Sequence, residues 1–419
     1  MGPCNRVHYL RSNPRELSQN LPATRYRQGV DDNGFGARLQ QARKLRHMTQ
    51  RQLAVVAGVS LSYVAAIERG ARQPSEGVLV GLARALGATP ADLLGHPPVD
   101  ELRRDQLSAL INPIREALDV YDLGADPDVA PRDRDALTAD TERLCALVRA
   151  SDLRAAATEL PALIMETTTA AHTHQTRQLW RDLAMQYRTA YDVTSKTGHC
   201  DLASIALDRM GWAAERASDA AIAGLRYYNR AMIYLRSGQP RTGIRIAALA
   251  RTMVEQADPG RDRQAVTGQL YLASAVLSAS SGHHDEVEEY LGTADRIAAG
   301  LGETSTLWMS FGPTNAAAHR VSCYVDQAMY REALEVARRV EIPSSWAPSR
   351  AAHHHAEMAR AHLWLGQPEA AFARLQIARR MAPQQIRHSS KAKGVIASLL
   401  RAHRKPPEDL TQFAQWANL

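Results

Sequence analysis

Between residues 49 and 70 the chain reads "TQRQLAVVAGVSLSYVAAIERG". Thr49 and Gln52 stand at the spacing of a capping box, in which both side chains satisfy backbone N–H groups at a helix start. Gly58 falls where a tight turn needs a positive φ, and Ser60 is placed to cap a second helix. Apolar spacing puts Leu53 and Val56 on the inner face of the first helix, and Val64 and Ile67 on that of the second. The opposite face of the second helix then carries Leu61, Ser62, Ala65, Ala66 and Arg69. When such a helix enters a DNA major groove, residues near its N-terminus meet the bases. A serine hydroxyl donates or accepts, so Ser60 and Ser62 would discriminate bases weakly. Leu61, Ala65 and Ala66 can touch thymine methyls, and the two alanines allow close approach. The expected base-reading face is therefore Ser60, Leu61, Ser62, Ala65 and Ala66.

Other chemistries find no support. There is no G-x-x-x-x-G-K run, and "GFG" at 34–36 lacks the strand and third glycine of a dinucleotide site. Neither G-x-S-x-G nor H-E-x-x-H occurs. His353-His354-His355 and His283-His284 are chain neighbours, which point about 100° apart on a helix and chelate one ion poorly. His174 and Gln178 have the useful i, i+4 spacing, but glutamine is a poor ligand. Cys4, Cys145, Cys200 and Cys323 lie far apart and read as buried free thiols. No enzyme activity, cofactor or metal is expected. No apolar run approaches twenty residues, and the N-terminus lacks the apolar segment of a signal peptide, so a cytoplasmic, nucleoid-associated protein with no membrane contact is expected.

The net charge of +7 is unevenly placed. Residues 1–95 hold 13 Lys/Arg against 6 Asp/Glu, and the remaining 324 hold 38 against 38. The whole positive excess thus sits in the first quarter of the chain, where counterion release would favour phosphate binding.

The surrounding elements follow from helical periods and breakers. Residues 1–34 are polar and arginine-dotted and read as a disordered basic arm, either a tail or a segment reaching into a DNA groove. Residues 35–95 read as five short helices. Phe35, Leu39 and Ala42 face inward from the first. Pro74 and Ser75 open the fourth, with Leu79, Leu82 and Leu86 inward and Gly87 as its stop. Thr89-Pro90-x-Asp92 starts a fifth, closed by Leu93 and Leu94. A proline-containing linker, 96–100, follows. From 101 to 419 helical periods alternate with breaks at Gly198, Gly238, Gly282 and Gly366, which are 40, 44 and 84 residues apart. The last gap holds one more pair around 327–337. This is the signature of an α-solenoid built from helix pairs. Residues 101–196 read as further pairs or as a dimerisation segment. Trp180, Tyr187 and Tyr191 have the spacing of a core stripe, with a ligand box as the alternative reading.

Arg43, "TQRQLA", Gly58-Val59-Ser60, "IERG" at 67–70, Pro74 and "LARALG" together resemble the lambda repressor-like domain of the xenobiotic-response-element regulators. The resemblance covers about 60 of 419 residues. It implies an all-α fold with a five-helix DNA-binding domain at its head. It also implies phosphate contacts from Gln50, with Arg43 touching the DNA backbone or bracing Glu68. Tyr63, Arg69 and Arg72 are further phosphate candidates, Tyr63 with packing as its alternative. Phosphate contacts set register and carry no sequence, so specificity would lean on methyl contacts, DNA shape and dimer spacing.

The repeats resemble tetratricopeptide repeats. The best copy, 352–385, has Ala359, Gly366, Ala371, Leu375, Ala378 and Pro383 near that family's small, turn and stop positions. A weaker copy at 224–257 has Ala231, Tyr234, Gly238, Ala247 and Ala250. The layout is similar to the actinobacterial type of these regulators, and more distantly to peptide-sensing regulators whose groove asparagines hold a peptide backbone. By that resemblance Asn229 and Asn315, with Arg226, Tyr228 and Met232, would line a ligand groove. A peptide ligand, a protein partner and a plain homodimer scaffold stay open. The expected function is a dimeric transcriptional regulator binding double-stranded DNA; the alternative is an interaction scaffold with a weak, non-specific DNA-binding head.

Overall fold

The computed structural model describes residues 34–46, 48–86, 93, 101–344, 346–403, 405–417 and 419, with the backbone alone at 76 and 101–108. The expected arm, the Gly87 stop, the linker and the fifth short helix apart from Leu93 lie outside the described residues.

Among the described residues four short helices come first: α1 (Phe35–Leu45), α2 (Gln50–Ala57), α3 (Leu61–Glu68) and α4 (Glu76–Ala85). Their starts follow the sequence. Thr49 accepts from the Gln52 backbone while the Gln52 side chain accepts from the Thr49 N–H, a complete capping box. Ser60 and Ser75 accept from the N–H groups of Tyr63 and Val78. Gly58 takes φ 69°. Phe35, Leu39, Leu53, Val64, Ile67, Leu79, Leu82, Leu86 and Leu93 form one buried cluster. Val56 departs from the expectation. It is 61 % exposed and Val55 is 75 % exposed, while Leu53 and Ala54 are buried. The small Ala54 faces the core, and the buried arc of α2 centres on 53, 54 and 57. Val56 lies about 100° away from that arc.

Helix α5 (Glu101–Asp119) leads into six helix pairs. They are α6 (Arg134–Arg149) with α7 (Leu153–His174), α8 (Arg177–Lys196) with α9 (Cys200–Arg216), and α10 (Ala220–Arg236) with α11 (Pro240–Val254). Next come α12 (Arg261–Ser281) with α13 (Val287–Leu301), α14 (Pro313–Asp326) with α15 (Tyr330–Arg338), and α16 (Pro348–Trp364) with α17 (Pro368–Met381). Three helices close the chain: α18 (Pro383–His388), α19 (Ser390–Ala402) and α20 (Glu408–Trp416). Among the described residues there is no strand beyond an isolated bridge between Thr304 and Phe311, and no helix is long and apolar enough to cross a membrane.

Every pair turns the same way. One residue after the first helix enters the left-handed region: Ser151, Gly198, Gly238, Gly282, Ala328 and Gly366, with φ between 65° and 92°. The next residue then donates its N–H to the carbonyl five residues back, at 2.8–3.0 Å, as in His199 to Thr194 and Gln367 to His362. This bond satisfies a carbonyl that the helix end leaves unpaired. The four expected glycines occupy four of the six positions. Ser151 and Ala328 fill the others, and the Ser151 turn was invisible to a search for glycine.

Between helices the side chains are small. Ala203, Ala206, Ala213 and Ala214 of α9 are buried, as are Ala359, Ala371 and Ala378 in the best-matching copy. A Cβ on Gly268 would stand 2.0 Å from the Phe311 ring. Trp180, Tyr187 and Tyr191 are buried, in accord with the core reading.

A non-glycine residue in the left-handed region carries a steric cost of roughly 1–2 kcal/mol. Ala328→Gly should therefore stabilise the chain by about 1 kcal/mol, read as a higher midpoint in urea denaturation. An unchanged or lower midpoint would contradict the strain at this turn.

Candidate DNA-binding face and repeat-domain cavity

The outer face of α3 is as the spacing predicts. Ser60, Ser62 and Arg69 are exposed, Leu61 is 46 % exposed, and Ala65 and Ala66 are half-buried. The residues expected at phosphates are placed less uniformly. Arg43 is buried, and its Nε and Nη2 donate to the two Glu68 carboxylate oxygens at 2.6 and 2.9 Å. Its Nη1 reaches the Met48 carbonyl at 2.8 Å. Of its two expected roles, the brace is the one seen, and it holds the guanidinium in the domain interior. Gln50 also donates to Glu68, at 2.8 Å. Burial pushes the Glu68 carboxyl up, but the bonds from Arg43 and Gln50 and the Arg43 charge outweigh it and hold the group below the ordinary range. Arg72 stacks on the Tyr63 ring at 4.6 Å, so these two pack on each other.

The second site lies among α6, α8, α10, α12, α16, α18 and the start of α19. It is a cavity of about 370 Å³. Tyr228, Asn229 and Met232 line it, as the sequence suggested. Asn315 sits one layer behind the wall. Its amide donates to Gln269 at 3.1 Å and its carbonyl accepts from Arg350 at 2.7 Å. Arg226 is a correction: it points out of the cavity, pairs with Asp208 at 2.6 Å and donates to the Leu207 carbonyl. The reason is helical phase, since at about 100° per residue Arg226 lies well off the arc that Tyr228, Asn229 and Met232 share. Sequence reading missed the cavity's cations, Arg149, Arg188, Lys196, Arg236, Arg350 and Lys391. They come from five helices, and no local motif groups them. His353 also lines the wall, but burial drives its pKa down to about 3, so it adds no charge at neutral pH. Among the described residues no cluster of His, Cys, Asp or Glu is arranged to hold a metal.

A family model described as "Helix-turn-helix" matches residues 39–94. That stretch is a helix-turn-helix domain. Three solved structures are similar to the chain at low identity. Bacillus thuringiensis PlcR, in complex with the peptide PapR7 and DNA, is 14 % identical, with 81 % of this chain and 98 % of that chain covered and a TM-score of 0.35. A PrgX mutant is 12 % identical over 91 % of this chain and 99 % of that chain, with a TM-score of 0.21. The PrgX/iCF10 complex is 12 % identical over 91 % and 94 %, with a TM-score of 0.20. No curated protein matches the chain.

The helix-turn-helix domain is seated on the repeats through bare backbone. Gly77 and Gly81 of α4 lie against the turn that follows α10: a Cβ on Gly77 would stand 3.0 Å from the Leu235 carbonyl, and one on Gly238 would stand 2.7 Å from the Gly77 carbonyl. Arg84 donates to the Ser237 carbonyl at 2.8 Å, and Gln73 bonds Ser398 of α19. This seat leaves a cleft of about 790 Å³. Ser62, Tyr63, Ala66 and Arg72 form one wall, and Gly238–Thr242 with Ala279–Gly282 form the other. The seat was not foreseen; two glycines four residues apart inside "EGVLVGLARALG" were its available signal.

Glu68 is 2 % exposed at its side chain and Arg43 is 10 % exposed. Removing one partner of a buried pair costs about 3–5 kcal/mol. Glu68→Gln should lower hydrogen-exchange protection in α1–α3 by a comparable amount at pH 7. Because the folded-state pKa is depressed, this stability is present above the unfolded carboxyl value of about 4.3 and fades as pH falls through the folded value. Parent and variant should thus converge in acid; a gap that persists there would assign the loss to packing instead.

Proposed function

We propose that this protein is a sequence-specific DNA-binding transcriptional regulator, working as a homodimer whose repeat body holds the pair together and receives a signal. The observation that carries the reading is the helix-turn-helix domain with Ser60, Leu61, Ser62 and Arg69 exposed on one edge of α3. Two such helices would enter successive major grooves about 34 Å apart. With Ser62 and the half-buried Ala65 and Ala66 as readers, discrimination would come from thymine methyls, DNA shape and half-site spacing. Arg69 is the exposed phosphate candidate; Gln50 would have to leave Glu68 to join it.

Ser62 and Ala66 face the repeat turns across the cleft. A groove has to receive the whole face of α3, about 12 Å of width for a helix. We read the seated arrangement as a resting one, from which the domain moves to bind DNA. A signal then acts through different affinities for the seated and released states.

The thin hydrogen-bond code of α3 favours one competing reading, a scaffold with a non-specific basic head. A salt titration on DNA recovered with the protein from its cells, and on random DNA, separates the two. The regulator reading expects specific affinity at least ~10³-fold above random, with similar salt slopes for both. Equal affinities would sink it.

Gly77→Leu should unseat the domain, because its side chain would run into the Leu235 carbonyl. Binding to the recovered DNA should tighten by about tenfold if seating and DNA compete, a shift of ~1.4 kcal/mol. Unchanged or weaker binding, with helicity retained, would remove the resting-state assignment.

A further inference from the structure

The repeat-domain cavity is one-sided in charge. Among the described residues, Arg149, Arg188, Lys196, Arg236, Arg350 and Lys391 line it, and Asp192 is the one carboxylate in its lining. Arg149 and Arg350 are held by neutral partners. Arg149 donates to the carbonyls of Trp308 and Met309 and to the Ser310 hydroxyl. Arg350 bonds the Asn315 carbonyl and the neutral His319. Arg188 and Lys196 share Asp192 at 3.8 and 3.7 Å, beyond hydrogen-bond reach. Glu357, behind the wall, is held by Arg360 and Lys391 at 2.6 Å each. Burial depresses the Lys196 pKa, and the charges of Arg188, Arg350 and Arg236 add to the effect against Asp192. Asn229 is 5 % exposed, and its amide nitrogen has no hydrogen-bond partner.

Buried like charges and an unpaired donor destabilise a fold, and such arrangements persist chiefly at functional sites. A volume of about 370 Å³ lies in the lower part of the range of small-molecule pockets. We propose that this cavity binds a small molecule carrying two or more negative charges, carboxylate or phosphate, held by Arg188, Lys196, Arg350 and the Asn229 amide. Tyr228 and Trp308, also in the lining, would flank its uncharged part. The inference rests on the signal-receiving half of the reading above, and its test uses no DNA.

The full chain is titrated calorimetrically at low ionic strength with citrate and with fructose 1,6-bisphosphate. Sorbitol, and sodium chloride at matched ionic strength, serve as controls. One saturable site per chain is expected for at least one polyanion and for neither control, and the better of the two identifies carboxylate or phosphate as the preferred group. Asn229→Asp places a carboxylate at the unpaired amide. It should raise the melting temperature of the unliganded chain and weaken polyanion binding at least tenfold. Lys196→Met should weaken binding to the same degree. Polyanions binding no better than chloride would overturn the proposal. So would unchanged affinity in both variants, or a lower melting temperature for Asn229→Asp, which would mean that the cations are already neutralised. Loss of operator binding with polyanion binding intact would leave this inference standing and remove the DNA-reading half alone.

Discussion

Close approach of backbone to backbone is the constraint on which this structure depends. Helix pairs stack because alanines such as Ala206, Ala213 and Ala378 leave no bulk between them. α1 meets α3 at Gly36, where a Cβ would stand 2.4 Å from the Ile67 carbonyl. The helix-turn-helix domain meets the repeats at Gly77 and Gly238 by the same means. Each contact offers little apolar area by itself, so the gain comes from many dispersion contacts at short range. Such interfaces tolerate added volume poorly, since one methyl group has nowhere to go. The alanines of α3 extend the same logic outward: a helix with little bulk on its outer face can sit deep in a groove.

Charge is used in two opposite ways. At Glu68 a buried carboxylate is neutralised by Arg43 with Gln50 beside it, at Glu357 by Arg360 and Lys391, and each hub fixes elements distant in sequence. Arg43 and Gln50 are thereby held between α1, α2 and α3. In the cavity the balance is reversed, with several cations around one carboxylate. The first arrangement rigidifies. The second raises the energy of the unliganded state, which an anionic ligand can lower.

How much of this the sequence disclosed depends on how local each signal was. The capping box at Thr49, the Gly58 turn and the Ser60 and Ser75 caps involve residues within four positions, and all are seen as expected. The repeat period was legible because four of six turns use glycine, while Ser151 and Ala328 accept strain and leave no mark in composition. Val56 was misplaced because Ala54 faces the core, and an alanine gives little weight to an apolar pattern. Arg226 was misplaced by a phase error on one helix. The cavity cations come from separate helices, and only the stacking of the pairs, which the sequence does not encode locally, brings them to one place. Of the expected groove residues, Tyr228, Asn229 and Met232 line the cavity and Asn315 stands behind its wall, while the charge that dominates the cavity was missed.

The two sites share structural elements. α10 carries Asn229, Met232 and Arg236 on the cavity wall, and the next two residues, Ser237 and Gly238, hold the helix-turn-helix domain. α19 starts at the cavity with Ser390 and Lys391, and two turns later Ser398 bonds Gln73. Both supports of the seat thus begin at the cavity wall. Two turns of helix span about 11 Å, and a helix moves as a unit over that length. In the proposed signal-receiving role, a shift of α10 or α19 at the cavity wall would therefore displace the supports themselves, without any intervening relay. Because the seat is backbone against backbone, shifts of a few tenths of an ångström suffice to turn its contacts into clashes. Packed interfaces of this kind switch between discrete arrangements and do not deform smoothly. The absence of side-chain bulk that lets the domain sit down would thus also make the seat sensitive to the cavity.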